Sequence, residues 1–257
     1  MTRWVLPLLL GLVVLAFWEA LVTDHQIPRF VLPAPSAIGQ ALVADFGSLM
    51  DSLGYTVRIT LLALAAALVS GVVLAIGFAM SRTLELALFP YAVVLQVTPV
   101  IAIAPLVLIW VGIDHVERAL LIIAWLVAFF PILANMTLGL KSVDRGLVDL
   151  FRLYGASRWQ RFHRLELPAA LPYLLAGTKI SGGLALIGAV VAEFVAGSGG
   201  STGLAWRILE AGNRLQTEKM FAALILLAGL GIAIFYALTF LEWLLLHRWH
   251  ESAVRRR

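Results

Sequence analysis

The sequence predicts an all-α, polytopic membrane protein with about six transmembrane helices. Three observations predict it. Of 257 residues, 61% are hydrophobic and only 13% are charged, where a soluble domain carries about 25% charged residues. The mean hydropathy is +0.96. Long stretches hold no Asp, Glu, Lys or Arg, and none shows the alternation of a strand. Hydrocarbon offers no partner to backbone polar groups, so each stretch has to satisfy its own as a helix. The chain has no cysteine, which excludes disulfides, thiolate metal sites and cysteine nucleophiles.

Crossing a hydrocarbon core of about 30 Å takes roughly 20 apolar residues. The first candidate covers 4–18 and continues past Glu19 to Thr23. Arg3 before it also fits a signal peptide, but Phe17, Trp18 and Glu19 stand where small cleavage-site residues would be. Uncharged runs of 23, 28, 22 and 21 residues follow at 59–81, 86–113, 119–140 and 221–241. Segment 173–196 is apolar apart from Lys179 and Glu193, which lie towards its two ends. Lys and Arg near span ends set orientation. With the N-terminus in the cytoplasm, thirteen of them fall inside: Arg3, Arg82, Lys141, Arg145, Arg152, Arg158, Arg161, Arg164, Lys179, Arg248 and Arg255 to Arg257. Six fall outside: Arg29, Arg58, Arg118, Arg207, Arg214 and Lys219. Both termini are therefore expected in the cytoplasm.

The chain reads as one transmembrane domain over 1–257 with three notable connections. Residues 24–55 form an outer connection, in which Ser36 is the expected N-cap of an interfacial helix from Ala37 to about Phe46. Residues 197–219 are outside and begin with a Gly- and Ser-rich run. Residues 141–172 form the largest inside feature. There Gly155 is expected to bend the chain sharply, because glycine tolerates positive φ. Leu147, Leu150, Phe151 and Tyr154 before it, and Trp159, Phe162 and Leu165 after it, recur at helical spacing. Pro168 and Pro172 are expected to stop the second piece, leaving a helical hairpin with one apolar and one basic face. Such a loop suits either anionic lipid or a docked protein.

Here the residues carry a resemblance. Asp149-Leu-Phe-Arg-Leu-Tyr-Gly155-Ala-Ser157, then nine residues from the glycine to Leu165-Glu-Leu-Pro168, resembles the "EAA" loop of binding-protein-dependent ABC importer permeases of type I. That pattern is Glu-Ala-Ala, three residues, Gly, nine residues, Ile-x-Leu-Pro. Asp149, Leu150 and Phe151 depart from Glu-Ala-Ala, and Leu165 replaces Ile. Leu32-Pro-Ala-Pro-Ser36, Thr98-Pro-Val-Ile-Ala-Ile-Ala-Pro-Leu106, Trp110-Val-Gly112, the run from Pro172 and Ala192-Glu193 are similar to segments of the nitrate, sulfonate and taurine subfamily. The resemblance implies a homodimer in the cell inner membrane, two ABC ATPase subunits on its cytoplasmic side and a solute-binding protein outside. It implies that 141–172 is the coupling loop. Asp149, Gly155, Ala156 and Ser157 would lie at the ATPase contact, with Leu165 and Pro168 completing the motif. The implied cargo is an anion of the nitrate, sulfonate or taurine kind, or a thiamin-pyrimidine-like heterocycle.

The residues agree with a chain that is not an enzyme and holds no cofactor. No G-x-x-x-x-G-K-[ST] cradle occurs, so ATP would be bound by the partner. No H-E-x-x-H, G-x-S-x-G or paired intramembrane Asp supports an intramembrane enzyme. A secondary transporter, the alternative class, needs ionisable groups near the midplane, and the centres of the spans lack them. Lipid is an expected partner and nucleic acid is not. His247 and His250 read as a solvated tail pair, not a metal site.

Among the polar residues inside spans, Glu193 fits either a structural partner for an Arg or a helix N-terminus, or a gate or substrate contact. Gln96 and Asn135, with Thr98 and Thr137, fit interhelical hydrogen bonding or the lining of a pore. Gly71, Ala75, Gly77, Gly182, Gly183 and Gly188 fit close helix packing.

Overall fold

The computed structural model describes residues 2–196 and 202–247. The Gly-rich segment 197–201, the tail residues Arg248, His250 and Arg255 to Arg257, and the side chain of Arg3 lie outside the described residues. In order, the helices are α1 (Thr2–Asp24), α2 (Pro35–Ala44), α3 (Phe46–Met80), α4 (Arg82–Val97), α5 (Val100–Val111) and α6 (Val116–Lys141). Then come α7 (Arg145–Leu153), α8 (Arg158–Arg161), a π-helical turn (Phe162–Glu166), α9 (Leu167–Ala196), α10 (Leu204–Asn213) and α11 (Thr217–Leu246). Five helices are long and apolar enough to cross a bilayer, and α4 with α5 makes a sixth candidate crossing.

The third span, the uncharged run over 86–113, is interrupted at Pro99. It bends by 103° between α4 and α5. Pro99 has no N–H to continue the ladder, and its ring forces Thr98 out of the helical region to φ −68°, ψ 125°. The Thr98 backbone N–H and hydroxyl both donate to the Val94 carbonyl, at 3.1 and 2.7 Å, closing α4.

Contacts fix the direction of each helix. Arg58 pairs with Glu117 at 3.0 Å, Trp125 Nε1 donates to Ser70 Oγ at 2.9 Å, and Gly71 faces Ile132. Residue numbers rise together along α3 and α6, so the two run parallel. The chain must then cross once between them, which makes α4–α5 a broken span and not a re-entrant loop. Gly188 meets Ala124 and Gly139 meets Tyr173, so α9 runs antiparallel to α6. Lys179 pairs with Glu242 and Gly231 faces Leu186, so α11 runs antiparallel to α9. Trp18 packs on Phe221 with ring centroids 5.9 Å apart, which sets the end of α1 beside the start of α11. The start of α1 and the end of α11 therefore share the side of the connection between α6 and α9.

Helices α3, α6 and α9 form the core. Dispersion and interhelical hydrogen bonds hold helices together where no water drives them, and small residues permit close approach. A Cβ on Gly188 would stand 2.8 Å from Ala124 Cα, and Ser181 Oγ donates across to the Ala128 carbonyl at 2.6 Å. Gly71, Gly77 and Gly182 also face close neighbours, and Ala75 is buried, whereas nothing stands near Gly183. Helices α1 and α11 are peripheral and present leucines and aromatics such as Leu6, Leu10, Phe235 and Phe240 outward.

The outer connection differs from expectation at Ser36. Helix α2 starts at Pro35 with Ala34 as N-cap. Ser36 instead donates its N–H and hydroxyl to the Glu19 carboxylate of α1, at 3.0 and 2.7 Å. The orphan donors at the start of α2 are thus met from another helix. Helix α3 already begins at Phe46, inside the segment read as a connection.

Candidate functional site

The bend at Gly155 is built from two local motifs placed back to back. Asp144 caps α7, its carboxylate accepting from the N–H of Gly146 at 2.7 Å. At the other end the Ala156 N–H donates to the Phe151 carbonyl and the Gly155 N–H to the Arg152 carbonyl, both at 3.0 Å. This six-to-one and five-to-two pairing is a Schellman closure, which needs a left-handed residue. Gly155 supplies it at φ +68°. Ser157 then opens α8 with a capping box: its hydroxyl accepts from the Gln160 N–H at 3.2 Å, and its own N–H donates to Gln160 Oε1 at 2.8 Å. Gly155, Ala156 and Ser157 therefore form a turn whose three backbone N–H groups are all hydrogen-bonded.

Helix α7 buries none of its residues. Leu153 and Tyr154 are 85% and 83% exposed, and Leu147, Leu150 and Trp159 are exposed too. Among the described residues, the first-arm apolar residues Leu147, Leu150 and Tyr154, with Trp159 of the second arm, stay exposed. Leu150, Phe151, Tyr154, Gly155, Ala156, Gln160 and Arg164 line a groove of about 470 Å³. Asp149 sits on the surface 3.4 Å from Arg152.

The second arm departs from expectation. Pro168 and Pro172 do not stop it, because the helix continues from Arg158 to Ala196 through 39 residues. A proline ring collides with the carbonyl four residues back in a regular α-helix. Here the turn at Phe162–Glu166 widens to π geometry, with the Leu167 N–H reaching the Phe162 carbonyl. The added residue shifts the register just before Pro168, a recognised cause of helix distortion. Phe162 is buried against the core, and Leu165 is half-buried. Arg161 and Glu166 pair across the π turn at 2.8 Å. Arg158 donates to the Met80 carbonyl at 2.5 Å, placing its charge at the C-terminus of α3, where the helix dipole favours a cation. The bend is thus anchored to α3 and continuous with α9.

Glu193 lies near the far end of that helix and is fully buried. One carboxylate oxygen accepts from Thr56 Oγ1 at 2.8 Å, the other from the Ala205 N–H at 2.9 Å. Thr56 in turn accepts from the Leu204 N–H at 2.9 Å. Two free donors at the start of α10 are therefore met by α9 and α3. Gly203 approaches so closely that a Cβ there would lie 2.1–2.3 Å from the carboxylate atoms. Arg207 ties the same helix to Ser52 at 3.0 Å. It also holds the Glu210 carboxyl below its ordinary range by hydrogen bonding to it. Of the two readings of Glu193, the geometry is that of a helix N-terminus partner.

Residues 67–256 match the family model described as the binding-protein-dependent transport system inner membrane component. The chain belongs to this family. It is 37% identical to the riboflavin transport system permease protein RibX of Chloroflexus aurantiacus, over 96% of this chain and 90% of that one. It is 36% identical to the putative aliphatic sulfonates transport permease protein SsuC of Bacillus subtilis, over 89% and 82%. Its fold matches the crystal structure of an amino acid ABC transporter with a TM-score of 0.65 at 16% identity, covering 80% of this chain and 96% of that one. The chain is thus a type I ABC importer permease.

Within the permease, Gln96 and Asn135 do not bond between helices. Asn135 Nδ2 donates to the Pro131 carbonyl of its own helix at 2.8 Å, and Gln96 is exposed on α4. Thr137 Oγ1 is buried without a hydrogen-bond partner. Asn135 also packs on Gly177 of α9, so it stands at the interface of the two core helices. Among the described residues no group of His, Cys, Asp or Glu is placed to hold a metal. The Glu193 clasp with Thr56 and Gly203 was not foreseen in its details. A buried carboxylate preceding a Gly-rich segment was the signal available.

Proposed function

We propose that this permease couples ATP hydrolysis on separate ATPase subunits to alternating access for a small solute. It does so as a homodimer, with the Gly155 bend of each copy seated on one ATPase. The observation that carries this reading is the bend itself. It is closed by a Schellman pairing and a capping box, the apolar residues of its first arm are exposed, and its second arm continues as the 39-residue helix through the core. At a rise of 1.5 Å per residue that helix spans about 58 Å, enough to carry a push from one face of the membrane to the other. The excess of Lys and Arg around the bend supports a cytoplasmic position for this side, which the start of α1 and the end of α11 share.

ATP is held by the ATPase subunits, and a solute-binding protein delivers the cargo. The relatives' names span a flavin and sulfonates, so selectivity resides in the binding protein and only a size class in the permease. Both a sulfonate-like anion and a flat heterocycle fit that class. The test is uptake into vesicles holding the permease, its ATPase and its binding protein. Uptake is expected only with ATP and all three components. Uptake driven by an ion gradient without the ATPase would instead establish a secondary transporter.

A further inference from the structure

Helix α10 is held at both ends in ways that a passive surface helix does not need. Its start is met by the buried Glu193 carboxylate of α9 and by Thr56 of α3. Gly203 permits that approach, since any side chain there would overlap the carboxylate. Its end turns through Leu215, a non-glycine residue at φ +56°, a left-handed conformation that disfavours a Cβ. Leu215 is also 73% exposed, so no burial of its side chain explains the strain.

We propose that Glu193 is the positioning residue through which α9 carries α10, which pivots at Leu215 as the transport cycle moves α9. This rests on the importer reading above. The bend at Gly155 receives the push, and the carboxylate, about 53 Å along the helix that starts at Arg158, hands it to the outer-side helix. A buried carboxyl group suits this role because its two oxygens accept from two different helices, Thr56 of α3 and Ala205 of α10. Thr56, bonded to both Glu193 and Leu204, tightens the grip without owning it.

The absence of cysteine makes a direct test available. Ala211 of α10 is buried and lies six residues beyond Ala205 of the clasp. In the reconstituted permease–ATPase complex, Ala211→Cys is expected to react slowly with a membrane-impermeant maleimide. Adding Glu193→Gln removes one of the two acceptor oxygens of the clasp and is expected to speed labelling by at least about tenfold. Uptake should fall at least as much while binding-protein-stimulated ATP hydrolysis persists, a split that simple misfolding would not give. Thr56→Val should show the same split more weakly, and Thr56→Ser should restore coupling. Glu193→Gln with unchanged uptake and unchanged labelling would overturn the proposal. So would uptake and hydrolysis falling in parallel in both Glu193→Gln and Thr56→Val. An unmodified permease with no ATP-dependent uptake would overturn the importer reading instead.

Discussion

The bend at Gly155 allows conformation to be separated from contact. A Cβ added there meets nothing within 4 Å, so alanine costs only what the left-handed φ of +68° costs. For an L-residue that is about 1–2 kcal/mol. Asparagine is larger but visits this region more readily, and valine is a severe outlier there. If the docked state requires the bent turn, the apparent affinity for the ATPase falls by the fraction of chains that still hold it. One to two kcal/mol corresponds to at most roughly a 5- to 30-fold loss for Gly155→Ala. Gly155→Asn should lose less than alanine, and Gly155→Val more. The assay is flotation of reconstituted vesicles with graded ATPase concentrations, alongside uptake. A loss that follows side-chain volume, with asparagine worse than alanine, would refute the reasoning. So would a valine variant that docks normally.

Two further outcomes follow from the packing. Gly188→Ala drives a methyl into Ala124 backbone atoms, 2.8 Å from Cα. Backbone cannot rotate away, so overpacking should cost about 1–3 kcal/mol, read as a lower unfolding temperature in detergent. Gly183→Ala, with open space around it, is the control. Lys179 and Glu242 join α9 to α11 as a half-buried ion pair. Lys179→Met leaves a lone carboxylate and should destabilise by about 3 kcal/mol or more if the site stays dry. The double change Lys179→Met with Glu242→Leu should recover most of that, and failure to recover would show that the pair serves more than charge balance.

The fold was legible where one physical rule governs. Uncharged runs of membrane length became helices, and the left-handed demand at Gly155 followed from its place between two helical patterns. Legibility failed where two rules compete. Pro99 and Pro168 look alike in sequence, yet one breaks its helix by 103° and the other does not. Thr98 sits in an apolar run with nothing to hold it helical, so the pre-proline restriction wins. Pro168 is preceded by a widened turn anchored by buried Phe162 and the Arg161–Glu166 pair, and the helix survives. Ser36 looked like a cap because serine usually is one. The Glu19 carboxylate, 17 residues earlier, displaced it, and no local pattern reveals such a partner. Asn135 bonds back to the Pro131 carbonyl one turn earlier, an outcome that spacing alone does not distinguish from an interhelical bond. Glu193 showed its cost in the sequence but not its partners, since Thr56 and Ala205 come together only when α3, α9 and α10 are packed.

The two charges on α9 bear on how the chain enters the bilayer during synthesis. Its best window has a mean hydropathy of 1.7, against 2.3–2.7 for the other long spans, so it partitions into lipid least readily on its own. Thr56, which answers its carboxylate, has already emerged from the ribosome. Glu242, which answers its ammonium, has not. The fifth crossing is therefore expected to reach its full stability in lipid only once the last one is in place.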